Sequence, residues 1–159
     1  DADLHFWPDM NVKVMGYLRC AQAVAPHMKA AGWGRIINIS GLAARSAGST
    51  VGSMRNVAVA ALTKNLADDL GPHGINVTVV HPGTTRTEAT PGVIAWRAET
   101  SGSTPEEVER QMASANSVRR LLDAEDVAYV ITMLASPRSI AINGDTIAAG
   151  GGAPRAIHY

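Results

Sequence analysis

Arg35-Ile36-Ile37-Asn38-Ile39-Ser40 and Ile75-Asn76-Val77-Thr78-Val79-Val80-His81 decide the fold of this chain. Both are short, β-branched runs, apolar enough to be buried on both faces, and Pro82-Gly83 breaks the second. Before the first run, Met10, Val14, Leu18, Ala21 and Ala25 recur at helical spacing from about Met10 to Ala31, and Gly32 and Gly34 end that helix. A small-residue loop, Gly41 to Gly52, leads to a long helix from Ser53 to Leu70, stopped by Gly71-Pro72. Thr84 to Ser103 reads as irregular and polar. Thr104-Pro105-Glu106-Glu107 opens a helix with a cap, a proline at the first position and Glu at the third. Asp123-Ala124-Glu125-Asp126 opens another, to about Ala135, and Asp145 to Ala149 makes a last strand before a glycine turn at 150–152.

Helix and strand alternating with short connections predict an α/β architecture with parallel strands and right-handed crossovers. Three strands make a poor sheet: the first presents an unpaired edge and half the helices lack a surface to cover. The expectation is that more sheet is supplied by an N-terminal segment or another chain. The sequence starts at Asp1 without an initiator Met, which agrees with a fragment.

The 159 residues suffice for one domain and not two. Fourteen basic and fourteen acidic residues cancel, so nothing electrostatic argues for nucleic acid or an anionic membrane as partner. A single cysteine, Cys20, rules out an internal disulfide and a cysteine-only metal site, and its apolar helical setting predicts a buried structural thiol. No stretch reaches transmembrane length and no signal peptide is visible, so the cytoplasm is the default location.

Five segments together resemble the short-chain dehydrogenase/reductase family. They are the helix 16–28, the strand 34–40, Ala60-Ala61-Leu62-Thr63-Lys64 with Gly74-Ile75-Asn76-Val77, His81-Pro82-Gly83-Thr84-Thr85-Arg86-Thr87, and Ile142-Asn143-Gly144-Asp145. Their order and spacing carry the likeness. The resemblance implies a Rossmann-like three-layer αβα fold whose parallel sheet ends in these three strands, with residues 1–159 the C-terminal part of a single domain. It implies NAD or NADP as cofactor. The family's N-terminal strands and glycine-rich phosphate loop are absent from this chain.

In that family a Tyr moves the proton while hydride moves to or from the nicotinamide. A Lys one turn later supports the Tyr, a Ser orients the substrate oxygen, and an Asn on the preceding helix anchors a water relay. Alignment places Gly52 at the Tyr position, Asn56 at the Lys position, Gly41 at the Ser position and Lys13 at the Asn position. No Tyr lies between Gly41 and Asn56, although the loop is shorter than usual. Lys and Asn look exchanged between positions 13 and 56. A lysine on a helix is ordinarily a solvated face residue, and that reading is preferred to a reciprocal swap that keeps an ammonium in the site. Arg55 is read equally as an anion contact or as a salt-bridge residue. The catalytic candidates are Lys13, Ser40, Arg55 and Asn56. The resemblance assigns nicotinamide contacts to Asn38, Pro82, Gly83, Thr85 and Thr87. His81 is read as a satisfied structural histidine.

These positions imply an oxidoreductase acting on a small alcohol or carbonyl substrate with atypical or impaired proton transfer. The alternatives are a non-catalytic cofactor-binding or partner subunit, and a non-redox lyase or dehalogenase on the same scaffold. A homo-oligomer, dimer or tetramer, is expected through the last helix and strand, whose Val127, Val130, Ile131, Leu134 and Ile147 exceed internal needs. Thr84 to Ser103 is the expected substrate-side lid, with Val93 and Trp96 as apolar anchors.

Overall fold

The computed structural model describes residues 2–154, so the ends of the expected 1–159 span lie outside the described residues. The described residues form two compact units, 2–81 with 131–147 and 82–130 with 148–154.

In the first unit, α1 (Ala2–Asp9) runs into a π-helical segment, Met10–Met15, and then α2 (Gly16–Ala31). The helix read from Met10 to Ala31 is thus a π-helical segment followed by α2, and α1 extends it towards the N-terminus. Pro8 lies inside α1, where it removes a backbone donor just before the change in pitch. Gly32 ends α2 in the left-handed region at φ 67°, as the sequence predicts. β1 (Gly34–Ile39) follows, then a 3₁₀ turn (Leu42–Arg45) and α3 (Thr50–Leu70). α3 starts at Thr50 and not Ser53, because the Ser49 hydroxyl accepts the N–H of Gly52 and caps the helix earlier.

β2 (Ile75–Pro82) pairs in parallel with β1, from Gly34 opposite Ile75 to Ile39 opposite Val80. β3 (Thr146–Ala149) completes the order β1-β2-β3. β2 is the central strand: Ile75, Val77, Val79 and Val80 are fully buried, and each contributes about 1.5–3 kcal/mol by leaving water. Ile75 and Val77 pack with Ala67 and Leu70 of α3 and with Ala25, Met28 and Ile36. Gly74 enters β2 at φ 79°, and a Cβ there would collide with the Gly32 carbonyl oxygen, so only glycine lets the two chain segments meet.

Cys20 is exposed, against the expectation of a buried thiol. The buried position of this turn is Ala21, and one residue is about 100° round the helix.

In the second unit, α4 (Thr90–Ser101) and α5 (Pro105–Ser114) pack through Ile94, Ala98, Val108, Met112 and Leu121. The segment read as irregular is therefore largely helical. Thr90, Ile94 and Ala98 recur every fourth residue and bury one face, a signal outweighed in the sequence by the polar residues around them. Trp96 lies off that face and is 64% exposed, as Val93 is in part. The Thr104 capping box is present: its hydroxyl accepts the Glu107 N–H, and the Glu107 carboxylate accepts the Thr104 N–H.

α6 (Ala124–Ala135) buries Val127 and Leu134 within the chain, so these two are not surplus apolar surface. Its exposed apolar side chains are Tyr129 and Met133. Among the described residues no helix is long and apolar enough to cross a membrane.

Candidate functional site

The carboxyl ends of parallel strands are where open α/β sheets hold ligands. At the end of β1, Ser40 and Gly41 meet the π-helical segment and the first turns of α3. Lys13 belongs to that π-helical segment. Its side chain is not on a solvated face: it is half-buried, and Nζ donates to the Ser40 carbonyl at 3.2 Å. Burial lowers its pKa below the ordinary lysine value, the Arg55 guanidinium lowers it further, and Asp9 opposes both.

Asn56 is buried and held on both sides. Its Nδ2 donates to the Gly41 carbonyl at 3.4 Å, and its Oδ1 accepts from Arg55 Nε at 3.2 Å. Arg55 Nη1 is paired with Asp9 at 2.6 Å. The Ser40 hydroxyl donates to the Asn56 carbonyl at 3.2 Å, so its proton is committed to α3. Lys13, Ser40, Arg55 and Asn56 therefore form one hydrogen-bonded cluster, joined by Asp9, which the sequence reading missed. Nothing in the sequence ties Asp9 to Arg55 across so many residues.

His81 lies at the end of β2 and is 1% exposed. Its Nδ1 accepts the Gly41 N–H at 3.1 Å. Burial, with Arg45 and Lys13 adding their charge, holds its pKa down to about 4. The ring is thus neutral at pH 7 and fixes the backbone at Gly41. Tyr17 does not replace the missing family tyrosine, because its hydroxyl donates to the Ile39 carbonyl at 2.7 Å and burial raises its pKa.

The two glycines are built in. A Cβ at Gly41 would stand 3.1 Å from Asn56 Nδ2, and one at Gly52 would stand 2.8 Å from the Ser49 hydroxyl oxygen. Any side chain at 52 displaces the cap of α3. This gives a sign test in the full-length protein. In a Ser49→Gly background, Gly52→Ala is expected to stabilise by about 0.5–1 kcal/mol through helix propensity. With Ser49 in place, that gain is cancelled by loss of a cap worth about 1 kcal/mol. Urea midpoints that rise equally in both backgrounds would overturn the assignment.

Asn38, a nicotinamide candidate, is buried in β1 with its Nδ2 donating to Thr63 Oγ1 at 2.9 Å. The other candidates lie in the second unit. Pro82 closes β2, and Gly83 donates its N–H to the Ala149 carbonyl at 3.3 Å. The Thr85 hydroxyl donates to the Gly83 carbonyl at 3.0 Å. Thr87 is exposed, and among the described residues its hydroxyl makes a single long contact, 3.4 Å to that of Thr90. Among the described residues no group of His, Cys, Asp and Glu could hold a metal ion.

A parallel β1-β2-β3 sheet with helices about it defines a Rossmann-like α/β protein. Residues 4–154 match the family model described as enoyl-(acyl carrier protein) reductase, and the chain belongs to the short-chain dehydrogenase/reductase family. It is 37% identical over 146 residues to the short-chain reductase protein NovJ of Streptomyces niveus, covering 91% of this chain and 54% of NovJ. It is 30% identical over 147 residues to the NADPH-dependent reductase BacG of Bacillus subtilis, covering 91% of this chain and 57% of BacG. Among solved structures, NAD⁺-bound xylitol dehydrogenase superposes with a TM-score of 0.80 at 25% identity, over 92% of this chain and 59% of that one. The chain spans about half the length of the curated relatives it matches.

Proposed function

We propose that this chain is part of a nicotinamide-dependent oxidoreductase of small alcohols or carbonyl compounds, in which the ammonium of Lys13 takes over proton transfer. The observation that carries this reading is the half-buried Lys13 Nζ on the Ser40 carbonyl, beside an Asn56 that stands where the family has its Lys. The relatives' names support nicotinamide chemistry: BacG is NADPH-dependent and the xylitol dehydrogenase holds NAD⁺.

The residues of the second unit fit a carboxamide. The Thr87 hydroxyl is exposed and weakly engaged, so it is free to bond the amide, with Pro82, Gly83 and Thr85 shaping the backbone beside it. Bound NAD or NADP supplies or accepts the hydride. Lys13 gives its Nζ proton to the developing alkoxide in reduction and takes it back in oxidation. The Ser40 carbonyl aims the ammonium, and burial lowers its pKa towards working pH, which suits an acid–base group. Asn56 and Arg55 hold Gly41 and the start of α3 in place and are positioning residues for this step. The test is loss of reduced-nicotinamide absorbance when the full-length protein is offered a panel of ketones and aldehydes. Cofactor binding without turnover across that panel would replace this reading with that of a non-catalytic cofactor-binding or partner subunit.

The protein is further proposed to work in the cytoplasm as a homo-oligomer through the α6 face that exposes Tyr129 and Met133. Light scattering at micromolar concentration is expected to give a dimer or tetramer, and a monomer would refute this.

A further inference from the structure

We propose that Arg55 and Lys13 form a subsite for an oxyanion group of the substrate, a carboxylate or a phosphate, at the part-exposed edge of the Arg55 guanidinium. Calling the occupant a substrate rests on the oxidoreductase reading above; the binding chemistry does not.

The guanidinium of Arg55 is only partly used. Nε is committed to Asn56 and Nη1 to Asp9, while Nη2 has no hydrogen-bond partner among the described residues. Nη2 lies 3.9 Å from the point where a Cβ at position 52 would begin. The Arg55 side chain is 25% exposed, so a ligand can reach it while water shields it incompletely.

The charges around it do not balance. Lys13 bonds a neutral carbonyl and has no carboxylate partner among the described residues. Arg45, on the 3₁₀ turn after β1, bonds the Thr146 carbonyl at 3.1 Å and likewise lacks one. His81 between them is neutral. Among the described residues, Asp9 is the carboxylate that pairs with Arg55 and acts on Lys13, against the cations Lys13, Arg45 and Arg55. Unbalanced positive charge in a half-buried site is costly until an anion enters. A planar guanidinium with a free N–H edge suits the two oxygens of a carboxylate or phosphate, and an ammonium adds a point charge from the side.

Asp9 competes with such a ligand for Arg55, which gives variants of opposite sign. The measurement is the unfolding temperature of the full-length protein in inorganic phosphate or in acetate, at constant ionic strength, with no nicotinamide or carbonyl compound present. One of the two anions is expected to stabilise the protein saturably, and which one does so names the group. Asp9→Asn is expected to tighten that binding roughly tenfold, and Arg55→Met to weaken it at least as much. Arg55→Lys keeps the charge and loses the fork, and falls between them. Arg97→Met, on the exposed side of α4, leaves the binding unchanged. If Arg55→Met does not fold, the Asp9→Asn gain still decides the matter. Saturation by neither anion, or a response indifferent to Asp9→Asn, overturns the subsite. Because no hydride donor is present, this result is independent of whether the protein turns over any carbonyl compound.

Discussion

Replacing Lys13 with methionine is expected to lower carbonyl-reducing turnover of the full-length protein by roughly 10²–10⁴-fold, the usual contribution of a positioned acid–base group. Nicotinamide binding should be unaffected. Methionine keeps the length and apolar stem of the side chain, so the half-buried position stays filled. Lys13→Arg separates proton transfer from charge: it restores a cation, but a guanidinium does not give up its proton at any working pH, so turnover stays low. The pH profile supplies an independent check. Reduction needs the ammonium form, so the rate falls as pH rises through the Lys13 pKa, which burial and Arg55 have brought below the ordinary lysine value. Oxidation needs the free amine and rises over the same range. Turnover that survives Lys13→Met with an unchanged pH profile would refute the role of Lys13.

The strands and most helix ends were legible in the sequence because each has a local cause. The β-branched runs at 35–40 and 75–81 lie within one or two residues of β1 and β2. The Thr104 cap and the Gly32 stop are set by the chemistry of single residues. α4 was less legible, since its buried stripe of Thr90, Ile94 and Ala98 is thin and half polar. The site was legible as a list of positions but not as an arrangement. Lys13 looks like a surface lysine when the segment is given a uniform α-helical pitch. The π-helical turns from Met10 to Met15 alter which way residues face, and no residue pattern announces them. The Arg55–Asp9 pair joins residues distant in sequence, and such pairs are fixed by packing.

The stability of the protein is expected to fall as the pH drops from about 6.5 towards 4, because of His81. Its Nδ1 accepts the Gly41 N–H, so a proton there would set two donors face to face in a buried site flanked by Arg45 and Lys13. Burial first, then the charges of Arg45 and Lys13, depresses the folded-state pKa from 6.5 to about 4. Between those values the unfolded chain binds the proton and the folded chain does not, so stability is fully present above 6.5 and is lost on acidification. At 1.36 kcal/mol per unit, the shift corresponds to about 3 kcal/mol. Glu107 and Asp126 are also held below their usual values, by the Thr104 and Asp123 backbone N–H groups first, but Glu107 is exposed, Asp126 is partly so, and both act at lower pH. His81→Asn isolates the effect, because it keeps an acceptor for Gly41 and removes the titration. Denaturant midpoints measured from pH 7 to pH 4 should fall steeply for the native protein and much less for His81→Asn. Equal slopes for the two would mean that His81 does not carry the acid sensitivity. The same neutral ring orients Gly41, whose carbonyl holds Asn56, so acidification should loosen the Lys13–Ser40–Asn56 cluster before the sheet itself gives way. Nitrogen chemical shifts of His81 and Gly41 that move together as the pH approaches 4, ahead of the β2 core amides, are the expected sign of that order.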